Sequence, residues 1–566
     1  VIFIALSRKE VKTRIQFDTN EDDNQVFVKH VEMRPTHDEV TMEQRDLTPR
    51  GPWRVLHTSD MGTYFRTGTW LFSDPATPEE LRGWISLLAD HHVDAYVQEV
   101  YFDGFSMFYR TDRCDYWETE NLKRFDRMME EGQNPLDIYI DEAHRREMPL
   151  LAGFRMNDRH ASNETFFETH ADWLLTDLGH GVNFELQEVQ DWFFSIVEEV
   201  PNRFDVDGIE LNFTRHGFCF PPSTSAASHP IMTDLMRRLR QMLDKVGEKR
   251  ERHLLFGARV PPSLSGCHDL GFDIPTWIDE KIIDFVAPTS YHRTDFNARY
   301  DEFVDLTENT DCYVYPALEG DVPGRVEVMS MEHSRAAIQN FYGAGADGFS
   351  THNYDAYMWG QRRSRLMPGV AENYPRALER FEVLRDPEVV ASGDRHYLFH
   401  PLFPEENFPN GYRGVPIPHD KALISRSDSN QTAEYRFSVC ENLPKEVDLP
   451  VGHVGRYSGN FNSAGKIPGT WLLFRAIGME PGDELSVTLN GVEVPAGDIR
   501  HVWYQEGRPH WEGRTLPPFT ECRFALTSPP GVYGNNVLGL RLIRSATDTV
   551  ENIVVDELEV IVHVDD

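Results

Sequence analysis

From Trp53 onward the apolar residues of this chain follow two alternating rhythms. Short runs dense in Val, Ile, Leu, Phe and Tyr alternate with longer segments whose apolar positions recur every third or fourth residue. The dense runs suit strands buried on both faces, and the longer spacing suits amphipathic helices. Strands are expected at 54–58, 94–102, 148–155, 206–213, 254–260, 282–288, 312–318 and 346–351. Helices are expected at 81–91, 135–146, 188–200, 231–246, 274–280 and 334–344. The first helix is announced by Thr77-Pro78-Glu79-Glu80, an N-cap, a proline in the first turn and a capping-box glutamate. Eight strands alternating with helices predict an α/β chain whose residues 51–395 form a (β/α)8 TIM barrel. A doubly wound open sheet is the alternative, but no glycine-rich phosphate fingerprint follows the first strand.

Beyond residue 395 the helical spacing disappears. Runs of Val, Thr, Tyr and Phe punctuated by Gly, Pro and Asn predict an all-β sandwich over 396–566, with Asn490-Gly491 as a hairpin turn. Residues 1–50 carry strand-like pieces around an acidic run at 18–24. That run lacks the glycine and closing glutamate of a calcium loop and reads as a solvated turn.

Within the fourth strand Glu210 and Asn212 alternate with Ile209, Leu211 and Phe213, so both polar side chains face one way. Arg215 and His216 follow at the strand's end. A TIM barrel builds its site at the C-terminal strand ends. There the sequence places His57 and Asp60 on strand one, Glu99 and Asp103 on two, and Arg155, Asp158 and His160 on three. Arg259 follows on five, Tyr291 and His292 on six, Glu319 on seven, and His352 and Asn353 on eight. Each also has a structural reading as an ion-pair partner, N-cap or turn residue, most strongly Asp103 before Gly104.

Carboxyl groups in pairs serve as acid and as base or nucleophile at a glycosidic bond. Asp60, Asp158, His160 and Glu210 are the expected catalytic groups. Guanidinium groups grip carboxylate or sulfate, so Arg155, Arg215 and Arg259 suggest an anionic sugar. Asn212, His216, Tyr291, His292, Glu319, His352 and Asn353 complete the expected substrate-binding set. Tyr291, Tyr354 and Trp359 offer faces on which a sugar can stack. No His-x-His marks strand one and no Gly-x-Ser-x-Gly occurs, so no metal, no other cofactor and no serine nucleophile is expected.

The net charge of −36 argues against nucleic acid and anionic membranes as partners. No apolar run reaches the roughly 18 residues of a membrane span. Six cysteines are scattered without a CxxC pair; Cys440 and Cys522 are left either bridged or free. The apolar start at residues 1–6 is too short for a signal peptide, and location stays open among secreted, periplasmic and cytoplasmic. Oligomeric state is open too, a homodimer included.

The stretch Val206-Asp-Gly-Ile-Glu-Leu-Asn-Phe-Thr-Arg-His resembles the glycosyl-hydrolase-like (β/α)8 proteins of environmental bacteria, distant from xylanases and amylases. Arg155-Met-Asn-Asp-Arg-His, Gly271-Phe-Asp-Ile-Pro-Thr-Trp-Ile and Gly345-Ala-Asp-Gly-Phe carry the same resemblance, which extends over about residues 53–395. Such proteins usually have Asp where this chain has Asn212, and Asn is neither base nor nucleophile. A weaker similarity, to inverting exo-sialidases on the same barrel, implies roles for Asp60 and His160. The expectation is an exo-acting glycoside hydrolase on an anionic sugar, with an oligosaccharide or polysaccharide substrate. The alternatives are a non-catalytic carbohydrate binder on a hydrolase scaffold and a sugar-acid lyase or isomerase.

Overall fold

The computed structural model describes residues 49–60, 73–102, 105–116, 122–158, 164–175, 181–215, 217–290, 293–320, 329–354, 376–400, 421–440, 469–504, 517–526 and 531–564, with the backbone of 11–19 and 26–35. Eight parallel strands close into a ring. They are β1 (Val55–Asp60), β2 (Ala95–Phe102), β3 (Leu150–Arg155), β4 (Gly208–Asn212), β5 (Leu255–Val260), β6 (Phe285–Pro288), β7 and β8 (Phe349–His352). Strand β7 comes in two pieces, Tyr313–Val314 on β6 and Ala317–Leu318 on β8, and β8 pairs β1 to complete the ring. Pro316 lies at the break, where a residue without an N–H cannot continue the ladder.

One principal helix follows each strand: α1 (Pro78–Asp90), α2 (Pro135–Arg145), α3 (Gln187–Arg203), α4 (His229–Arg250), α5 (Ile274–Asp279), α6 (Tyr300–Thr307), α7 (Met331–Gly343) and α8 (Arg376–Leu384). The Thr77–Glu80 capping box at the start of α1 is formed as expected. Two expectations shift. Strand six begins at Phe285 and not at Ile282, because the Ile282 and Ile283 N–H groups both close onto Trp277 O at the end of α5. Helices α6 and α8 were not among the expected helices. Among the described residues no helix is long and apolar enough to cross a membrane.

The barrel interior is layered by the two-residue period of its strands. Trp53, Leu56, Ala95, Val97, Leu151, Phe285 and Tyr315 pack as an apolar floor. Gly257 makes room for it, since a Cβ there would lie 1.9 Å from the Phe285 ring. One step nearer the C-terminal mouth the inward positions turn polar: Thr58, Glu99, Glu210, Arg259 and Ser350, all buried. Gly153 sits between Glu99 and Glu210 in register, and its missing side chain gives Glu99 passage inward; a Cβ would meet Glu99 Cγ at 2.9 Å. The β2–β3 register slips between Glu99 and Tyr101, a bulge that re-aims the strand just beyond Glu99.

From Arg395 the chain is antiparallel β. One sheet has six strands: β9 (Arg395–Phe399), β10 (Ala422–Ile424), β12 (Gly469–Ile477), β15 (Arg500–Tyr504), β16 (Phe519–Ala525) and β18 (Ile553–His563). The other has four: β11 (Ala433–Val439), β13 (Glu484–Leu489), β14 (Val492–Glu493) and β17 (Gly534–Arg544). Asn490 and Gly491 both have positive φ, 51° and 78°, the geometry of a two-residue hairpin turn between β13 and β14. None of the six cysteines is in a disulfide, Cys440 and Cys522 included. At the other end of the chain Val11–Thr19 and Val26–Pro35 pair as an antiparallel hairpin.

This β unit is tied to the outside of the barrel through α7. Asn340 Nδ2 donates to Phe296 O and to Ser438 O, both at 3.0 Å, and its Oδ1 accepts from Cys440 N–H at 2.9 Å. Gln339 donates to Cys440 O, and Tyr533 OH donates to Gly343 O.

Candidate active site

Strand alternation fixes which side chains reach the mouth. On β4 Glu210 and Asn212 share the inward face, as the sequence pattern requires. On β2 the inward residue at the same level is Glu99. Glu99 is the hub. Arg155 Nε donates to its Oε2 at 2.6 Å, Asn212 Nδ2 donates to its Oε1 at 2.9 Å, and His352 Nε2 lies 3.4 Å from Oε2. Burial pushes the Glu99 carboxyl up, but the Arg155 guanidinium and His352 together outweigh it and hold the group below the ordinary carboxylate value. Burial pushes His352 the other way, down from its ordinary value, so its imidazole is neutral at neutral pH.

Arg155 grips three carboxylates at once. Beside Glu99 it contacts Asp60 through Nη2 and Asp158 through Nη1 at 2.9 Å. Arg215 Nε comes within 3.6 Å of the same Asp158 oxygen. Asn353, held at φ 51°, accepts the Asp60 backbone N–H on its Oδ1 at 2.9 Å and thereby fixes the end of β1. A second pair lies deeper. Arg259 Nε donates to Glu210 Oε1 at 3.1 Å, while its Nη2 reaches across the barrel to Thr58 Oγ1 at 2.9 Å. Burial pushes the Glu210 carboxyl up, with Arg259 opposing.

Glu319, just past β7, is different in kind. Thr289 Oγ1 donates to its Oε1 at 3.1 Å, and its backbone N–H donates to Thr294 Oγ1 at 2.8 Å. Its Oε2 is buried and has no hydrogen-bond partner among the described residues. Burial pushes its carboxyl up to about 8, against the pull of Arg259, Arg293 and Arg215.

The structure thus draws Asp60, Arg155, Asp158, Asn212, Arg215, His352 and Asn353 into one network, with Glu210–Arg259 and Glu319 beside it. Three readings of the sequence are corrected. Arg155 and Arg259 are engaged clamps and not arms free to take a sugar anion. Asn353 positions Asp60. Tyr354 lies outside the barrel wall, fully buried against Phe381, and has no face to offer a sugar. His57 likewise faces outward, near Trp84, Tyr96 and Phe381, and burial pushes its imidazole down to about 3. His160, His216, Tyr291, His292, Asp103 and Trp359 lie outside the described residues. The residue missing from the expected site set was Glu99. Its signal was available, a lone carboxylate among Tyr96, Val97, Val100 and Tyr101 of a buried strand.

The donor atoms of Asp60, Glu99 and His352 lie within 4.8 Å of one another, a set that suits a divalent cation. Here the same carboxylates are taken by the Arg155 guanidinium, which serves as their cation. Asn212 also acquires a reason. Its Oδ1 accepts from the Thr214 N–H and hydroxyl, which turns its Nδ2 toward Glu99. An Asp in that place would set a second negative charge against Glu99. We therefore expect Asn212→Asp to raise the Glu99 pKa, so that its ionised form is lost at higher pH as pH falls. The acidic limb of a pH–rate profile is expected to move upward by about 1 unit or more; an unmoved limb refutes the role given to Asn212.

Residues 65–218 match the model of a family described as Glycosyl hydrolase-like 10. Two curated relatives are similar over part of the chain. "Glycosyl hydrolase DigH" of Escherichia coli (strain K12) is 35% identical over 101 residues, covering 14% of this chain and 22% of the relative. "Glycosyl hydrolase YngK" of Bacillus subtilis (strain 168) is 21% identical over 223 residues, 31% of this chain and 43% of the relative. The chain thus spans less than half the length of either. Among solved structures, an α-amylase from Geobacillus thermoleovorans complexed with acarbose aligns with a TM-score of 0.36 at 12% identity, covering 88% of this chain and 99% of that one. An endo-1,4-beta-mannanase from Rhizomucor miehei aligns with a TM-score of 0.37 at 12% identity, covering 60% and 96%.

Proposed function

We propose, from the likeness of residues 65–218 to a glycosyl hydrolase-like family, that this protein hydrolyses glycosidic bonds at the C-terminal mouth of its barrel. The observation that carries the reading is Glu99. It is a buried carboxylate held ionised and fixed in orientation by Arg155 and Asn212, with His352 beside it. Such a group is prepared to meet positive charge developing at an anomeric carbon, as nucleophile, base or electrostatic stabiliser. Asp60 and Asp158, on the same guanidinium, complete a negative wall around it.

The sugar we favour is neutral. The anionic reading depended on arginine donors being available, and these arginines face carboxylates instead. Among the described residues Asp60, Glu99, Asp158 and Glu210 balance Arg155, Arg215, Arg259 and Arg293, and Glu319 is protonated at neutral pH. That leaves no surplus of positive charge to attract a sugar acid or sulfate. The reading is tested by a turnover screen of aryl glycosides and short oligosaccharides, neutral and anionic side by side, with product analysis to separate chain-end from internal cleavage. Turnover of a neutral glycoside with an acidic limb below the ordinary carboxylate range is expected. Sugar binding without turnover would establish a binder, and preference for uronides or sialosides would restore the anionic reading.

A further inference from the structure

Hydrolysis at an ionised carboxylate needs a partner that gives up a proton to the departing oxygen. We propose that Glu319 is that proton donor, acting through its unpartnered Oε2; this rests on the hydrolase reading above. Asp158 and His160 were among the groups expected to be catalytic, each acting with a carboxylate as an acid/base pair. Asp158, however, accepts a 2.9 Å hydrogen bond from Arg155 and lies 3.6 Å from Arg215, surroundings that favour the anion. Glu319 is held the opposite way. It is buried at the mouth end of β7, anchored on one oxygen by Thr289 and through its backbone by Thr294. The other oxygen faces no donor or acceptor among the described residues. An unpaired carboxylate oxygen in that position is costly, and a proton on it removes most of the cost. A buried polar atom left without a partner is the kind of feature that a bound substrate completes.

The charged and titratable groups around it come from three other strands and a helix. They are Arg259 on β5, Arg293 after β6, Arg215 after β4 and Tyr300 on α6. All three cations favour ionisation, yet burial prevails and the carboxyl keeps its proton to about pH 8. In the step itself the bond from the anomeric carbon to the glycosidic oxygen breaks with its electron pair on oxygen. That oxygen takes the Glu319 proton and leaves as an alcohol. Water supplies the hydroxyl for the anomeric carbon, and its second proton returns Glu319 to the acid form. Substrate and water are consumed, and two hydroxyl products leave.

The test compares Glu319→Gln with the parent protein on one sugar carrying either a poor alkyl leaving group or dinitrophenolate. We expect a loss of about 100-fold or more on the alkyl glycoside, less than 10-fold on the dinitrophenyl glycoside, and disappearance of a basic limb near pH 8. Folding of the variant is expected to be intact. The native carboxyl binds its proton up to about pH 8 while the unfolded one releases it near its ordinary value of 4.5, so native stability falls as pH rises through that window and Gln removes the loss. Thr289→Val supplies a second readout. Without its hydrogen bond the Glu319 pKa rises, and the basic limb is expected to move to higher pH. Equal losses on both leaving groups, or a basic limb unchanged in Glu319→Gln, overturn the assignment. A parent protein silent on every glycoside overturns instead the reading on which it rests.

Discussion

Replacing Arg155 with methionine is expected to destabilise the protein by about 3–5 kcal/mol, the largest effect of any single substitution at the mouth. The guanidinium is 1% exposed and faces Glu99, Asp60 and Asp158. Methionine fills similar volume but removes the one cation shared by three buried carboxylates, leaving Arg215 beside Asp158 as the nearest guanidinium. Some of that penalty is relieved by protonation, so the deficit is expected to shrink as pH falls toward 4. Lysine in the same place restores a charge but not the fork that reaches three acceptors, and only partial recovery is expected. Urea unfolding at pH 7 and pH 4.5 measures both effects. A variant with the parent's midpoint at pH 7 would show that the cluster is held by something other than Arg155.

Glu99→Gln is expected to lower turnover by about 10²–10⁴ while leaving the barrel folded. Glutamine keeps the shape and a carbonyl for one of the donors, but it brings no negative charge to the anomeric carbon. The variant is expected to retain sugar affinity, so the loss falls on kcat and not on KM. Comparison with Glu319→Gln separates the two roles. A departing dinitrophenolate relieves the loss of the acid, whereas it cannot relieve the loss of the carboxylate. Should Glu99→Gln turn over as fast as the parent, the ionised partner is another of the carboxylates on Arg155, and Asp60 becomes the residue to replace.

The barrel was legible in the sequence because each of its strands is buried on both faces, and continuous apolar runs between amphipathic segments betray that arrangement. The inward pairing of Glu210 with Asn212 followed from period two alone. Partnerships were not legible. Arg155, Asp60 and Glu99 lie on three different strands, and nothing local shows that the guanidinium next to Asp158 in sequence will also take these two acids; that depends on the pairing of the strands and on the β2 bulge just beyond Glu99. The same missing information made the arginines look available for a ligand. Glu319 was equally opaque, because its character comes from what fails to contact it. From sequence Glu319 reads as a substrate-binding or loop residue past a strand, and only burial geometry shows one oxygen with no hydrogen-bond partner among the described residues.

Asn340 joins α6's entry loop, α7 and the edge of β11 through a single amide, each of its bonds going to a different backbone group. Gly343, three residues on, has no room for even a methyl, since Cys440 Cβ would lie 2.2 Å away. The outer wall of the barrel is therefore shaped to the β unit, and α7 holds polar groups that bond to Ser438 and Cys440 at the end of β11. The two halves cannot be exchanged as modules. A barrel inherited with a different appendage would have to rebuild this helix first, so the pair is expected to have diverged together, as one hereditary unit.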